Sequence, residues 1–281
     1  EGVPAYVVMG YPSATRGPGF LGPKAGYVYL TDTASGPAGL TRPREISDER
    51  AARRQTLLAA TREEFRSRVS DAAPREYDEA IEEGFRLQGG DFMRAFDLGK
   101  EPESLRAEFG DEFGQRCLLA RRLIQRGVRF IEVGFNLNFI NGAGWDSHNA
   151  AQRELHTFIR GLDTSMATLI RDLENNKLLD KTLLVVATEF GRPAHFDSGG
   201  GRGHYGKCFT CLVGGAGLRT GQCIGTTDDL AMSIVADPVS VPDFFATICA
   251  AMGVNPNKSL MDGERPVPIT DKGTPIAKLF A

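Results

Sequence analysis

The sequence has no excess of positive charge and no long apolar segment. Its 281 residues carry 33 Lys and Arg against 36 Asp and Glu, which gives a formal net charge of -3. A chain without a basic excess does not predict binding to nucleic acid or to an anionic membrane surface. No apolar run approaches the roughly 20 residues that a membrane-spanning helix needs, and the first residues lack the charged and apolar regions of a signal peptide. We therefore expect no nucleic-acid partner and no transmembrane segment.

The cysteine pattern also argues against a disulfide framework. Five cysteines are an odd number, so they cannot all pair within one chain. Cys208 and Cys211 form a C-x-x-C pair, which is found in redox and zinc sites. No second pair accompanies it, and the alternation after Cys208 is typical of a strand, so we interpret these two cysteines as structural.

The chain alternates apolar strands with amphipathic helices, which predicts an α/β fold. Strands are expected at Tyr6 to Met9 and at residues 128–135, 182–188 and 209–213; helices are expected at residues 47–68, 75–88, 102–126, 149–176 and from Pro242 to about Met252. The order strand, helix, strand over residues 128–188 predicts a right-handed βαβ unit in a parallel or mixed sheet. The helical region at about 45–126 is interpreted as an insertion beside that sheet, within a single domain over residues 1–281.

Candidate metal ligands follow the ends of two predicted strands. Asp146 and His148 lie in GAGWDSH, where alternate residues of an extended segment point to the same side. Glu189 follows strand 182–188, and His204 follows a glycine-rich loop. Ligands bind at the carboxyl ends of strands in α/β sheets. A mixed set of carboxylates and imidazoles suits zinc, manganese or iron and does not choose between them.

Three further residues near these ligands are candidates for substrate contacts. Arg192 and Arg202 could hold an anionic group, since a guanidinium matches phosphate or sulfate with two hydrogen bonds. His195 is a candidate either for a substrate contact or for a residue that supports the metal ligands. Gly199 to Gly201 lack the lysine of a phosphate-binding loop, so we interpret them as flexible. The sequence has no G-x-S-x-G motif, which argues against a serine hydrolase.

Long stretches of the chain resemble the bacterial family known as domain of unknown function 1501, which is common in planctomycetes and is similar to alkaline phosphatases and sulfatases. The resemblance rests on PAYVVMGYP, GPGFLGP, GWDSH, LLDKTLLVVATEFGR, GRGHY, GGAGLRTGQCIGTTDD, DFFATICAAMGVNP and DGERPVPITDKGTPIAKLF. It implies an alkaline-phosphatase-like α/β/α sandwich with a mostly parallel central sheet and an exported protein. It also implies that the chain is the C-terminal part of a longer protein, with the nucleophile upstream of Glu1.

The resemblance assigns roles to the candidate residues. It implies metal binding by Asp146, His148 and His204, with Glu189 as a further ligand or catalytic group. The expectation that Arg192 steadies the anion comes from its residue type and position, beside these roles. The sequence departs from the pattern at two places: Phe190 stands where the superfamily has a second metal-binding histidine, and Gly203 stands where the family usually has an aspartate.

These implications lead to one main functional expectation and two alternatives. The main one is a metal-dependent hydrolase of phosphate or sulfate esters, acting on a small-molecule or glycan anionic ester. Its cofactor is a divalent metal ion, zinc first, with manganese, calcium or magnesium as alternatives. The alternatives are an exported, non-catalytic binding protein with a degenerate metal site, and a metal-dependent phosphomutase or phosphotransferase.

Overall fold

The computed structural model describes residues 2–11, 17–37, 39–43, 45–69, 73–88, 91–135, 145–149 and 152–280. Their contacts divide the chain into two compact units. The first comprises Glu1–Asn136 and Thr164–Leu169, and the second comprises Leu137–Asp163 and Ile170–Ala281.

A three-stranded parallel sheet forms the centre of the first unit. Its strands are β1 (Tyr6–Met9), β2 (Val28–Leu30) and β3 (Phe130–Val133), in the order β2-β1-β3. Val7 of β1 lies opposite both Val28 and Ile131. The strands predicted at the start of the chain and at 128–135 are thus confirmed. β2 is an addition, because three residues after a glycine-rich stretch carry too short a pattern to predict a strand.

Among its described residues the first unit also has the α-helices α1 (Asp48–Arg68), α2 (Ala73–Leu87), α3 (Asp91–Arg94), α4 (Glu103–Phe109) and α5 (Glu112–Gln125). The predicted N-cap of α1 is confirmed, since Ser47 Oγ accepts a hydrogen bond of 3.2 Å from the Arg50 amide. The single helix predicted over 102–126 is wrong. The backbone turns at Gly110, whose φ is 79°, and Asp111 caps the new helix by accepting from two amides.

Helix α5 covers the sheet and supplies much of the core of the first unit. Leu119 and Leu123 are fully buried in one cluster with Val7, Met9 and Leu30. Each fully buried leucine stabilises the fold by about 1.5–3 kcal/mol. The region that the sequence suggests is an insertion therefore contains the helix that covers the sheet. Helix α1, by contrast, has no buried residue.

The second unit contains two-stranded antiparallel sheets. Strand β4 (Leu183–Val186) pairs with β5 (Leu212–Gly215), β6 (Thr226–Thr227) with β7 (Ile234–Ala236), and β8 (Ser259–Asp262) with β9 (Arg265–Pro268). The strand predicted at 182–188 is confirmed, but its hydrogen-bonded neighbour is antiparallel. The parallel βαβ pairing predicted for it is not found among the described strands. The structure thus shows a mixed α/β chain, and the alkaline-phosphatase-like sandwich stays a prediction.

Two helices begin close to their predicted positions, α6 (Gln152–Asn175) and α7 (Val241–Ala251). The apolar stripe predicted along α6 is only partly buried: Leu169 and Leu173 are buried, whereas Ile159 and Ile170 are exposed. Across the described residues, every helix is too short or too polar to cross a membrane.

Candidate metal centre

Three loop segments of the second unit are joined by backbone hydrogen bonds and carry the candidate ligands. Gly191 and Tyr205 exchange two hydrogen bonds, of 3.0 and 2.8 Å. The Arg202 amide donates to the Ser147 carbonyl oxygen at 2.9 Å, and Asn149 forms a bridge with Gly200. The segments around residues 146, 191 and 203 are therefore held side by side although they are far apart in sequence.

Two glycines allow these segments to approach closely. A Cβ atom on Gly191 would lie 2.0 Å from the Cys208 carbonyl oxygen, and one on Gly201 would lie 2.0 Å from the Ser147 carbonyl oxygen. Both distances are far below van der Waals contact, so no other residue fits without moving the backbone. Gly201 therefore has a packing role, beyond the flexibility that the sequence suggests for the glycine run.

Asp146, His148 and His204 bring three ligand atoms together. Asp146 Oδ1 lies 3.1 Å from His148 Nε2 and 3.3 Å from His204 Nε2, and the two Nε2 atoms are 3.0 Å apart. A tetrahedral zinc ion with bonds of about 2.0–2.1 Å has ligands about 3.3–3.4 Å from one another. The three atoms thus form a nearly equilateral triangle of the size that one face of a zinc site requires, and they form a group that could hold a metal ion.

Neighbouring side chains hold both histidine rings. Asp197 Oδ2 lies 3.3 Å from His148 Nδ1, on the opposite side of the ring from the ligand atom. Phe190 stacks on His204, with ring centroids 4.0 Å apart and planes 28° apart. The sequence does not assign either contact, because both partners are set by the loop packing. The sequence gives one sign of the Asp197 contact: Asp197 is an acidic residue between His195 and the glycine run.

Arg192 connects the segments of the site. Its Nη2 donates to Asp146 Oδ1 at 3.0 Å and to the Trp145 carbonyl oxygen at 3.1 Å, and its Nη1 donates to the Arg202 carbonyl oxygen. Its side chain is 20% exposed. The guanidinium thus positions the carboxylate of the candidate ligand Asp146, and this structural role accounts for the described contacts without an anion. Its predicted role in steadying an anion is not tested by them.

The other predicted site residues lie outside the group of three. Arg202 donates to the Pro193 carbonyl oxygen at 3.2 Å, and its guanidinium carbon lies 4.5 Å from the centre of the Phe196 ring. Glu189 and His195 are exposed. The structure does not bring Glu189 into the group of ligand atoms, so its role as a ligand or catalytic group stays a prediction, as does substrate binding by His195 and Arg202.

The charges around the three ligand atoms favour a cation. Two carboxylates, Asp146 and Asp197, contact the histidine rings, and one guanidinium, that of Arg192, contacts Asp146. Neutral imidazoles add no charge and offer lone pairs, which is the form of histidine that binds metals. Zinc and other transition metals match this mixed N and O ligand set better than calcium or magnesium, which prefer oxygen ligands alone.

Comparison with known proteins identifies a family but no characterised relative. No curated protein and no solved structure matches the chain significantly. The family described as "Protein of unknown function (DUF1501)" matches residues 1–280, which is nearly the whole chain. The chain therefore belongs to the DUF1501 family.

Proposed function

We propose that the chain binds one divalent transition-metal ion, zinc first, through Asp146, His148 and His204. The observation that carries the proposal is the triangle of ligand atoms, with sides of 3.0 to 3.3 Å. Three protein ligands leave a position for water or substrate, as catalytic zinc sites do. Side-chain exposures of 25% for Asp146, 32% for His148 and 52% for His204 leave the site open to solvent on one side.

We further propose that the metal serves the hydrolysis of phosphate or sulfate esters in an exported protein. The support is the resemblance of GWDSH and GRGHY to the metal-binding segments of alkaline phosphatases and sulfatases. A bound zinc ion supplies Lewis acidity and a water molecule of lowered pKa. The chain itself orients the ligands: Arg192 holds Asp146, Phe190 holds the ring of His204, and the loop packing keeps the open side toward solvent.

One ion fits the contacts better than two. Phe190, at the place where the superfamily has a second metal-binding histidine, offers no ligand atom and is occupied in stacking on His204. Glu189 is exposed and lies outside the ligand group. This observation also favours the second candidate function, a metal-binding protein that recognises an anionic ester or glycan without turning it over.

Metal titration of the full chain tests the proposal. Isothermal titration calorimetry with ZnCl₂ and MnCl₂ should give one site per chain. His148→Ala and His204→Ala should each weaken zinc binding by more than about 100-fold, since loss of an outer partner alone costs about 10–100-fold. His156→Ala is the matched control, because His156 lies exposed on α6, and it should bind zinc like the parent chain.

Turnover separates the two candidate functions. The zinc-loaded chain is assayed with p-nitrophenyl phosphate and p-nitrophenyl sulfate, beside His148→Ala. Metal-dependent release of p-nitrophenol that the variant loses supports the hydrolase. One zinc bound without turnover of either ester favours the binding protein, and absence of zinc binding at one equivalent contradicts both.

A further inference from the structure

We infer that Asp197 is a positioning residue of the metal centre, which sets the tautomer of His148. The inference rests on the proposed metal site and adds a residue that the sequence motifs do not include. Asp197 Oδ2 lies 3.3 Å from His148 Nδ1. The other ring nitrogen, Nε2, faces Asp146 Oδ1 at 3.1 Å and His204 Nε2 at 3.0 Å.

The contact decides which nitrogen of His148 carries the proton. A carboxylate oxygen accepts hydrogen bonds, so a hydrogen bond from His148 to Asp197 needs the proton on Nδ1. Asp146 Oδ1, which Nε2 faces, already accepts a hydrogen bond from Arg192 Nη2 at 3.0 Å. A neutral imidazole with a proton on Nδ1 has a lone pair on Nε2, and Nε2 is the atom within the triangle. A carboxylate behind a metal-binding histidine fixes the ring in this way and raises its basicity.

The glycine-rich turn brings Asp197 to His148. The Asp197 amide donates to the Gly201 carbonyl oxygen at 2.8 Å, and the Gly200 amide donates to the Asp197 carbonyl oxygen at 2.9 Å, which closes the turn. A Cβ atom on Gly201 would lie 2.1 Å from the carbonyl carbon of His148. The turn that carries the carboxylate is therefore packed directly on the backbone of the residue that it orients.

Gly203 offers a second position from which a carboxylate could reach the same place. A Cβ atom at Gly203 would lie 3.6 and 3.7 Å from the two carboxylate oxygens of Asp197, which is ordinary contact, and no other described atom beyond its chain neighbours lies within 4 Å of it. A carboxylate moved from residue 197 to residue 203 would thus start beside the position that the Asp197 carboxylate now fills. This geometry makes the relocated carboxylate a direct test of the role.

The first test compares Asp197→Asn with the parent chain. Asparagine keeps the shape and removes the charge, and zinc affinity measured by calorimetry should fall about 10–100-fold. The tautomer is read from ¹⁵N-¹H correlation spectra of the metal-free chain, which has four histidines. The ring signals that disappear in His148→Ala belong to His148, and in the parent chain they should show the Nδ1-H tautomer. Asp197→Asn should shift that ring toward Nε2-H, whereas the exposed Asp229→Asn should change neither measurement.

The second test is the relocation, Asp197→Asn combined with Gly203→Asp. It should restore the Nδ1-H tautomer of His148 and recover zinc affinity relative to Asp197→Asn, which a merely structural role for Asp197 does not predict. Equal zinc affinity and an unchanged tautomer in Asp197→Asn would overturn the inference while leaving the metal site intact. Failure of the parent chain to bind zinc would instead reject the proposed function. If Asp197→Asn does not fold, a folded double variant that binds zinc and shows the Nδ1-H tautomer supports the inference, and a folded double variant that lacks this tautomer overturns it.

Discussion

Glu101 neutralises two buried arginines in the first unit, and its removal should destabilise that unit by about 3 kcal/mol. Its Oε2 accepts from Arg121 Nη2 at 2.7 Å, and its Oε1 accepts from Arg121 Nη1 at 3.2 Å and from Arg122. Arg121 is 4% exposed and Arg122 is 8% exposed, and the Glu101 side chain is 13% exposed. The perturbation that we consider is Glu101→Gln, which keeps the shape and removes the charge.

The contacts that remain in the variant set the size of the effect. Removal of one partner from a buried ion pair costs about 3–5 kcal/mol, because the other charge stays buried without compensation. Arg122 keeps the carbonyl oxygens of Ala95 and Arg94 at 2.6 and 2.9 Å, and Arg121 keeps Gln125 Oε1 at 2.9 Å. These neutral acceptors place the expected loss at the lower end of that range.

Urea denaturation followed by two probes measures the effect. Far-UV circular dichroism reports the helices, and the single tryptophan, Trp145, reports the second unit by fluorescence. Glu64→Gln is the matched control, because Glu64 pairs with Arg68 on the surface at 64% and 72% exposure and such a pair is worth about 0.3–0.5 kcal/mol. Equal losses for the two variants would refute the reasoning that burial makes the Glu101 cluster strong.

The effect of Glu101→Gln should also depend on pH. Burial by itself raises the pKa of Glu101, but the hydrogen bonds from Arg121 and Arg122 outweigh it and hold the pKa below its ordinary value. A depressed pKa contributes stability that is present above the unfolded-state pKa, roughly pH 4 to 4.5, and is lost as the pH falls through the folded-state value. The difference between parent and variant should therefore be constant near neutral pH and shrink only under acid.

Three further predictions concern the metal centre and the thiols. Gly201→Ala places a Cβ atom 2.0 Å from a backbone carbonyl oxygen and should weaken zinc binding in calorimetry at least 10-fold, whereas Gly203→Ala, with room for its methyl group, should bind like the parent. Arg192→Lys keeps the positive charge but loses the guanidinium, which donates to Asp146 Oδ1 and to two backbone carbonyl oxygens. Zinc binding should therefore weaken about 10–100-fold. An unchanged zinc affinity would argue against a positioning role for Arg192. Burial raises the pKa of Cys117 to about 12, so iodoacetamide at neutral pH should label the exposed Cys223 and spare Cys117 until urea unfolds the chain, as peptide mass spectrometry would show.

Local signals in the sequence predicted the elements well where short-range chemistry decides them. Ser47 marks the start of α1, and the β-branched runs mark β1 and β3. The break between α4 and α5 was also readable in principle, since Gly110 followed by Asp111 is a helix stop followed by an N-cap. The longer apolar pattern of the 102–126 segment masked that signal.

Strand pairing could not be predicted in the same way. The run Leu183–Val186 is apolar at every position, which is typical of a strand covered on both faces in a parallel sheet. The structure pairs it antiparallel with Leu212–Gly215, a segment that the glycine loop brings back along the chain. A periodic pattern identifies a strand, but its partner depends on contacts between distant segments.

The candidate site shows the same difference between local sequence signals and contacts between distant segments. Asp146, His148 and His204 were predicted as ligands from their residue types and their places after strands, and the structure brings their ligand atoms together. The residues that orient them, Asp197 and Phe190, were not predicted, because each contact depends on how the loops pack. Ligand chemistry is visible in residue types, whereas orientation is a property of the folded loops.

The dipeptide Glu189-Phe190 shows why a departure from a motif need not mean a lost site. In the sequence it departs from the pattern that the resemblance implies, because a side chain without ligand atoms stands where a second metal-binding histidine is expected. In the structure the aromatic ring lies 4.0 Å from the ring of His204, and the acid beside it is exposed. A stacked ring restricts the rotation of a half-exposed histidine and lowers the entropy lost when that histidine binds an ion. In the proposed one-ion site the stacked ring would therefore help to hold His204 in place, and Phe190→Ala should weaken zinc binding in calorimetry although phenylalanine contributes no ligand.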